Sequence, residues 1–222
     1  MELKVTLKDP KKSDYFYEEA IKTLRTNIQF SSKQVKVVLL TSCYPNEGKS
    51  DIAFSLSLEM GKAGKRVLLM DADIRKSNFI KRYSVNQTIQ GLSQYLSGQV
   101  ERQWIIYQTN FPNVDMIFAG PLAPNPSELL SDPAFGELLE EKRKEYDYIF
   151  IDTPPIGNMI DAAVVAEKSD GAVLVIESEA VSYSVAQKSL SQLERSGCKI
   201  LGAVLNKVDM KKDKYYSSYY GR

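Results

Sequence analysis

The chain has 222 residues, 43% of them hydrophobic and 26% charged, which suits one globular α/β domain with a sizeable core. A net charge of +1 gives no support for nucleic-acid binding through bulk charge, and the absence of histidine excludes His-based catalysis and His-ligated metal sites. Two distant cysteines, Cys43 and Cys198, with no secretory signal, predict a reduced cytoplasmic setting, and no apolar run is long enough for a membrane span.

Residues 1–13 are polar and lysine-rich and read as an exposed arm. Ser13 or Asp14 is placed to cap a helix reaching about Ser31, with Tyr17, Ala20, Ile21, Leu24 and Ile28 on one face. Glu19, Lys22 and Arg25 form a charged stripe beside it, which by itself suits a solvated face.

Val35 to Thr41 predicts a buried strand. The turn-rich Cys43 to Gly48 follows, and Gly48-Lys49-Ser50 opens a helix that Gly64 closes. Strand, loop and helix start in this order make a phosphate loop, whose N–H groups cradle phosphate oxygens while Lys49 reaches the β- and γ-phosphates and Ser50 ligates Mg²⁺. The first position of the usual glycine pattern is Cys43, and an ordinary strand–turn–helix with a surface lysine also suits the string.

Arg66 to Met70 predicts a second strand, ending in Asp71-Ala72-Asp73-Ile74-Arg75. Two carboxylates at the C-terminal end of a parallel strand lie where such sheets bind ligands, although a helix cap and a loop aspartate would read the same. Gly91 to Leu96 and Trp104 to Gln108 read as short helices, and Val114 to Phe118 as a strand. The proline-rich loop Gly120 to Pro126 precedes a short helix capped by Ser127, and Pro133 starts another that reaches about Lys144.

Tyr148 to Ile151 is an apolar strand delivering Asp152 to the same sheet edge, as a Walker B strand delivers its magnesium-holding carboxylate. Helices over Asp161 to Lys168 and Ser182 to Ser196 alternate with strands over Gly171 to Ile176 and Ile200 to Leu205. The pattern predicts an α/β, P-loop NTPase-type sheet, mostly parallel, with helices on both faces. It is one domain over 1–210, in which 1–33 form an arm and an oligomerisation helix, followed by a tail over 211–222. Asn206-Lys207-Val208-Asp209 after the last strand has the N-K-x-D form that reads guanine in GTPases. The tail places Tyr215, Tyr216, Tyr219 and Tyr220 among lysines with no aliphatic partner.

Together these segments resemble the bacterial tyrosine kinases (BY-kinases) over nearly the whole chain. Pro45-Asn46-Glu47-Gly48-Lys49-Ser50 matches the family's P-G-E-G-K-S loop except at Asn46. Val67 to Arg75 matches the apolar run with D-x-D-x-R, Ile149 to Pro155 the apolar run with D-T-P-P, and Gly120 to Leu130 the loop G-P-x-x-P-N-P-x-E-L-L. Glu19, Lys22, Arg25, Thr26 and Asn27 match E-x-x-R-x-x-R-T-N, with Lys22 where arginine is usual, and Asp51 stands where threonine is usual.

The resemblance implies phosphorylation of tyrosine by ATP, chiefly on a neighbouring subunit's tail, in control of capsular and exopolysaccharide synthesis and export. It implies nucleotide contacts from residues 45–51 and Asn206, and Mg²⁺ held by Ser50, Asp71 and Asp152. Lys49, Asp71 and Asp73 are the catalytic candidates, with Asp71 as the base that takes the phenol proton and Asp73 second. The tail tyrosines are the acceptors, and Glu19, Lys22 and Arg25 are the contacts of a homo-oligomeric ring, an octamer as the candidate size. Implied partners are a separate transmembrane adaptor of the polysaccharide co-polymerase type, a cognate tyrosine phosphatase and other protein substrates, with the chain at the inner face of the cell membrane. The competing classes are a MinD- or ParA-like ATPase, whose second loop lysine is replaced here by Tyr44, and a GTPase switch using Asn206 to Asp209.

Overall fold

The structure, a computed structural model, describes residues 3–8, 15–32 and 34–209. Strands β1 (Leu3–Val5), β2 (Val37–Ser42), β3 (Val67–Asp71), β4 (Ile106–Thr109), β5 (Val114–Ile117), β6 (Tyr148–Asp152), β7 (Gly171–Glu177) and β8 (Ile200–Asn206) form one sheet. Their order is β1-β4-β5-β3-β6-β2-β7-β8, and every neighbouring pair is parallel except β4 with β5.

Successive residues of a strand point to opposite faces, so each buried strand feeds two cores. Val37 and Leu39 of β2 join the core beneath helices α4 (Leu92–Leu96), α5 (Pro126–Ser131), α6 (Pro133–Lys142), α7 (Asp161–Ala166) and α8 (Tyr183–Arg195). Val38 and Leu40 join the core under α1 (Tyr15–Ser31), α2 (Lys49–Lys62) and α3 (Phe79–Arg82). β2, β3 and β6 are buried along nearly their whole length. Burial on both faces explains why they read in the sequence as continuous apolar runs.

Three segments differ from the sequence reading. Part of the expected arm is β1, which extends the sheet beyond β4, with Val5 and Leu7 buried. Leu3, Val5 and Leu7 alternate with polar residues, a half-buried strand pattern too short to stand out among lysines. The expected helix at Trp104 to Gln108 is a 3-10 turn, Arg102–Trp104, running into β4. Consecutive β-branched isoleucines and a tyrosine favour the strand. Only Asn110 to Asn113 separate β4 from β5, too few for a crossover, so the pair is antiparallel, with Asn113 at φ 62° in the connecting turn. Ser127 does not cap α5: Asn125 occupies that position and the Ser127 hydroxyl serves another contact. The residues expected to cap α1 and the four tail tyrosines lie outside the described residues.

Candidate active site

The parallel strands end on one edge, and that edge collects the predicted carboxylates. β3 and β6 pair with Asp71 opposite Asp152, which puts the two side by side as near-neighbours in the sheet. Both are at most 1% exposed. The phosphate loop leaves β2, the next strand over, and turns into α2 at Lys49. A cleft of about 260 Å³ results, whose walls include Asn46, Gly48, Lys49, Ser50, Asp51, Asp71, Asp73 and Asp152.

The loop's shape follows from two residues with positive φ. Gly48 lies at φ 91°, and a Cβ there would stand 2.1 Å from the Asn206 Nδ2 atom, so both backbone and space require glycine. Asn46 lies at φ 67°, a conformation that asparagine tolerates better than most residues. Its departure from the family's glycine therefore keeps the backbone path. Glu47 faces inward and is 2% exposed. Its carboxylate accepts from the Tyr44 and Glu177 backbone N–H groups at 2.6 and 3.0 Å, tying the loop to the end of β7. Asn206 Nδ2 donates to the Glu47 carbonyl at 2.8 Å, and Lys207 Nζ to the Asn46 carbonyl at 2.7 Å. The start of N-K-x-D thus buttresses the phosphate loop. Tyr44, where partitioning ATPases carry their second lysine, is exposed.

At the bottom of the cleft the Ser50 hydroxyl donates to Asp152 Oδ2 at 2.6 Å. Lys49 Nζ lies 3.9 Å from Asp152 Oδ1 and 3.4 Å from Ser50 Oγ. Asp152 Oδ1 is buried and accepts no hydrogen bond from the described residues. Burial pushes the Asp152 carboxyl up to about 6, against the pull of the Lys49 ammonium and the Ser50 hydroxyl. Asp71 accepts from the Asp73 N–H at 3.1 Å and from the Ser77 hydroxyl. Burial first, and the neighbouring Asp152 charge second, hold its carboxyl well above the usual carboxylate range. Asp73 is only half-buried, and its carboxylate accepts the Lys76 N–H at 2.9 Å, an ordinary turn contact.

A hydroxyl, carboxylates and an unpartnered buried carboxylate oxygen make a donor set of hard oxygens that suits Mg²⁺. Among the described residues no group of three or more His, Cys, Asp or Glu is placed to hold an ion. Such an ion would therefore need phosphate oxygens to complete its shell.

Reading the sequence missed Ser77 and Arg82, which line the cleft from the segment after D-x-D-x-R. The only available signal was a polar residue shortly before an aromatic helix start. Arg75, the arginine of that motif, points away to the buried Asp161, donating to it through Nε and, at 3.0 Å, through Nη2. Ser127 completes the cluster, donating to Asp161 at 2.6 Å and accepting from Arg75 at 2.9 Å. This triad locks the D-x-D-x-R segment, the proline-rich loop's helix and α7 together. Farther away on α1, Glu19 pairs with Lys22 at 2.8 Å, while Arg25 reaches Glu59 of α2 at 3.1 Å.

Comparison with known proteins gives a consistent family. A model described as an AAA domain matches residues 44–203. The chain is 42% identical to the tyrosine-protein kinase CpsD of Streptococcus agalactiae over 192 residues, 86% of this chain and 84% of that one. The kinase domain of the Escherichia coli tyrosine kinase ETK superposes with a TM-score of 0.83 at 28% identity, covering 94% of this chain and 91% of that chain. The cell-division ATPase MinD of Pyrococcus furiosus shares the fold at a TM-score of 0.68 and 26% identity, covering 81% and 75%. With its Lys49, Ser50 and Asp152 cluster and a relative of that identity over most of both sequences, the chain belongs to the bacterial tyrosine kinase family.

Proposed function

We propose that this chain transfers a phosphoryl group from ATP to tyrosine hydroxyls, in the control of capsular or exopolysaccharide synthesis. The observation that carries the reading is the meeting of Lys49, Ser50, Asp71 and Asp152 in one cleft at the sheet edge. In this reading the backbone N–H groups of residues 46–51 cradle the phosphates, after the turn at Pro45 and with Asn206 behind the loop. Lys49 balances charge on the transferring group, and Ser50 and Asp152, with Asp71 beside them, would hold Mg²⁺. That ion would neutralise phosphate charge and orient its oxygens. Asp71 receives the phenol proton, because a phenol of pKa ~10 is almost wholly protonated at neutral pH.

ATP is expected to bind much more tightly than GTP. The kinase likeness spans nearly the whole chain, whereas N-K-x-D spans four residues. Purified protein with Mg²⁺ and either labelled nucleotide, read by competition binding and phosphotyrosine detection, tests this. Tighter GTP binding without phosphotyrosine would favour a switch, and ATP hydrolysis alone a partitioning ATPase.

The acceptors in this proposal are Tyr215, Tyr216, Tyr219 and Tyr220 of a neighbouring subunit. A closed ring, which requires a heterologous interface, would present each tail to a neighbour's site. Glu19, Lys22 and Arg25 are the proposed ring contacts, although Lys22 cannot offer arginine's bidentate fork. Each phosphate adds about −1.5 to −2 charges, enough over several tyrosines to repel the tail from the acidic cleft and loosen the ring. A cognate phosphatase would reverse this. Membrane attachment through a separate adaptor is also part of the proposal; among the described residues no helix is long and apolar enough to cross a membrane. Mixing a Lys49→Met chain bearing the natural tail with an active chain whose four tail tyrosines are Phe should label the inactive chain. An unlabelled mixture, with wild type labelling itself at a concentration-independent rate, would place transfer within one chain.

A further inference from the structure

Asp51 is an odd residue to find in this cleft. It occupies the first turn of α2, next to Ser50, where a nucleotide's phosphates would meet the helix N-terminus. Carboxylates favour helix N-termini, but one beside phosphates at the same positive end repels them. The structure supplies a counter-charge from a different element. Arg82, the last residue of α3, donates through Nη1 to Asp51 Oδ1 at 2.7 Å. The two side chains are 35% and 24% exposed, and a pair so open to solvent adds little to stability.

Two further features give the pair meaning. Arg82 lines the same cleft as Lys49, Ser50 and Asp152. Its contact with Asp51 engages one nitrogen of the guanidinium fork, so other N–H donors remain for a second anion. The cleft lining carries four basic and four acidic side chains. Without Arg82 that balance turns negative, a poor host for a polyphosphate.

We propose that Arg82 is a further nucleotide-binding residue, whose guanidinium cancels the Asp51 carboxylate and presents its remaining donors to the phosphates of a bound nucleotide. The inference rests on the nucleotide-binding reading above and adds a residue to it. Asp51 and Arg82 then act as one unit. Asp51 holds the guanidinium over the loop, and Arg82 removes the repulsion that Asp51 would otherwise exert.

A double-mutant cycle on the full chain tests this, with Mg-ADP and a non-hydrolysable Mg-ATP analogue titrated calorimetrically. Arg82→Ala should weaken nucleotide binding about tenfold, the split between the triphosphate analogue and the diphosphate showing which phosphates Arg82 meets, and Arg82→Lys should recover part of the loss. Asp51→Thr alone should tighten binding. In the Asp51→Thr background, Arg82→Ala should cost about threefold or less, because no uncovered carboxylate remains. Thermal melts establish that each variant is folded, and Arg82→Lys, which keeps the charge, serves if Arg82→Ala is not. Unchanged affinity in Arg82→Ala, or equal losses in both backgrounds, would overturn the proposal while leaving the nucleotide site standing. Wild type that binds neither nucleotide, or binds both as Lys49→Met does, would overturn the nucleotide-site reading itself and this inference with it.

Discussion

Lys49→Met should lower phosphotyrosine formation by at least ~10³-fold while the protein melts no earlier than wild type. The Lys49 ammonium lies 3.9 Å from the buried Asp152 Oδ1 and beside the hydroxyl expected to ligate the metal. Its removal acts twice. The transferring phosphoryl group loses its compensating charge, and Asp152, which Lys49 pulls down from the effect of burial, becomes harder to ionise. A carboxyl that keeps its proton is a poor metal ligand, so the variant should also need a higher pH to take up Mg²⁺. Arginine in this position should not restore transfer, since its planar fork cannot mimic a compact ammonium. The measurement is the initial rate of phosphotyrosine appearance alongside a thermal melt. A folded Lys49→Met chain that labels itself normally would sink the phosphate-loop assignment.

The legibility of this site in the sequence follows its distance from the central strands. β2, β3 and β6 are buried on both faces, so their sequences are unbroken apolar runs, and each run stops where the backbone reaches the ligand edge. Lys49, Asp71 and Asp152 could therefore be placed at one edge without knowing the strand order. The sheet's other end was harder to read. β1 and β4 are three and four residues long, and so short a segment does not establish a period. Strand order was also beyond local pattern: Asp71 stands opposite Asp152 only because β6 inserts between β3 and β2. Side chains that meet through tertiary packing left the least trace. Ser77 on Asp71, Arg82 on Asp51, and the Arg75–Asp161–Ser127 triad join residues 6 to 86 positions apart, and nothing in the chain's periodicity couples them.

Asp71→Asn should slow phosphoryl transfer by roughly 10²–10⁴, the range for losing a general base, and leave nucleotide binding largely intact. The side chain is fully buried, and its two oxygens are held by the Ser77 hydroxyl and the Asp73 N–H. Burial and the adjacent Asp152 raise its proton affinity, which makes it a better acceptor for a phenol proton than a surface carboxylate would be. Asparagine keeps the volume and can keep the contact with the Asp73 N–H, yet it cannot accept the proton. Stability should move the opposite way from activity. An unfolded aspartate ionises near pH ~4, whereas the folded carboxyl holds its proton to higher pH. Between those limits the folded state binds more protons, so wild-type stability falls as pH rises through the window. Asparagine has no such loss. The variant's melting temperature should therefore match wild type near pH ~4 and exceed it by a margin that grows as pH rises and levels off once the folded carboxyl has ionised. Melts across that range, paired with single-turnover labelling of an inactive acceptor chain, separate the two roles. Undiminished transfer in Asp71→Asn would make Asp71 structural and pass the base assignment to Asp73, whose half-buried carboxylate accepts the turn contact from the Lys76 N–H.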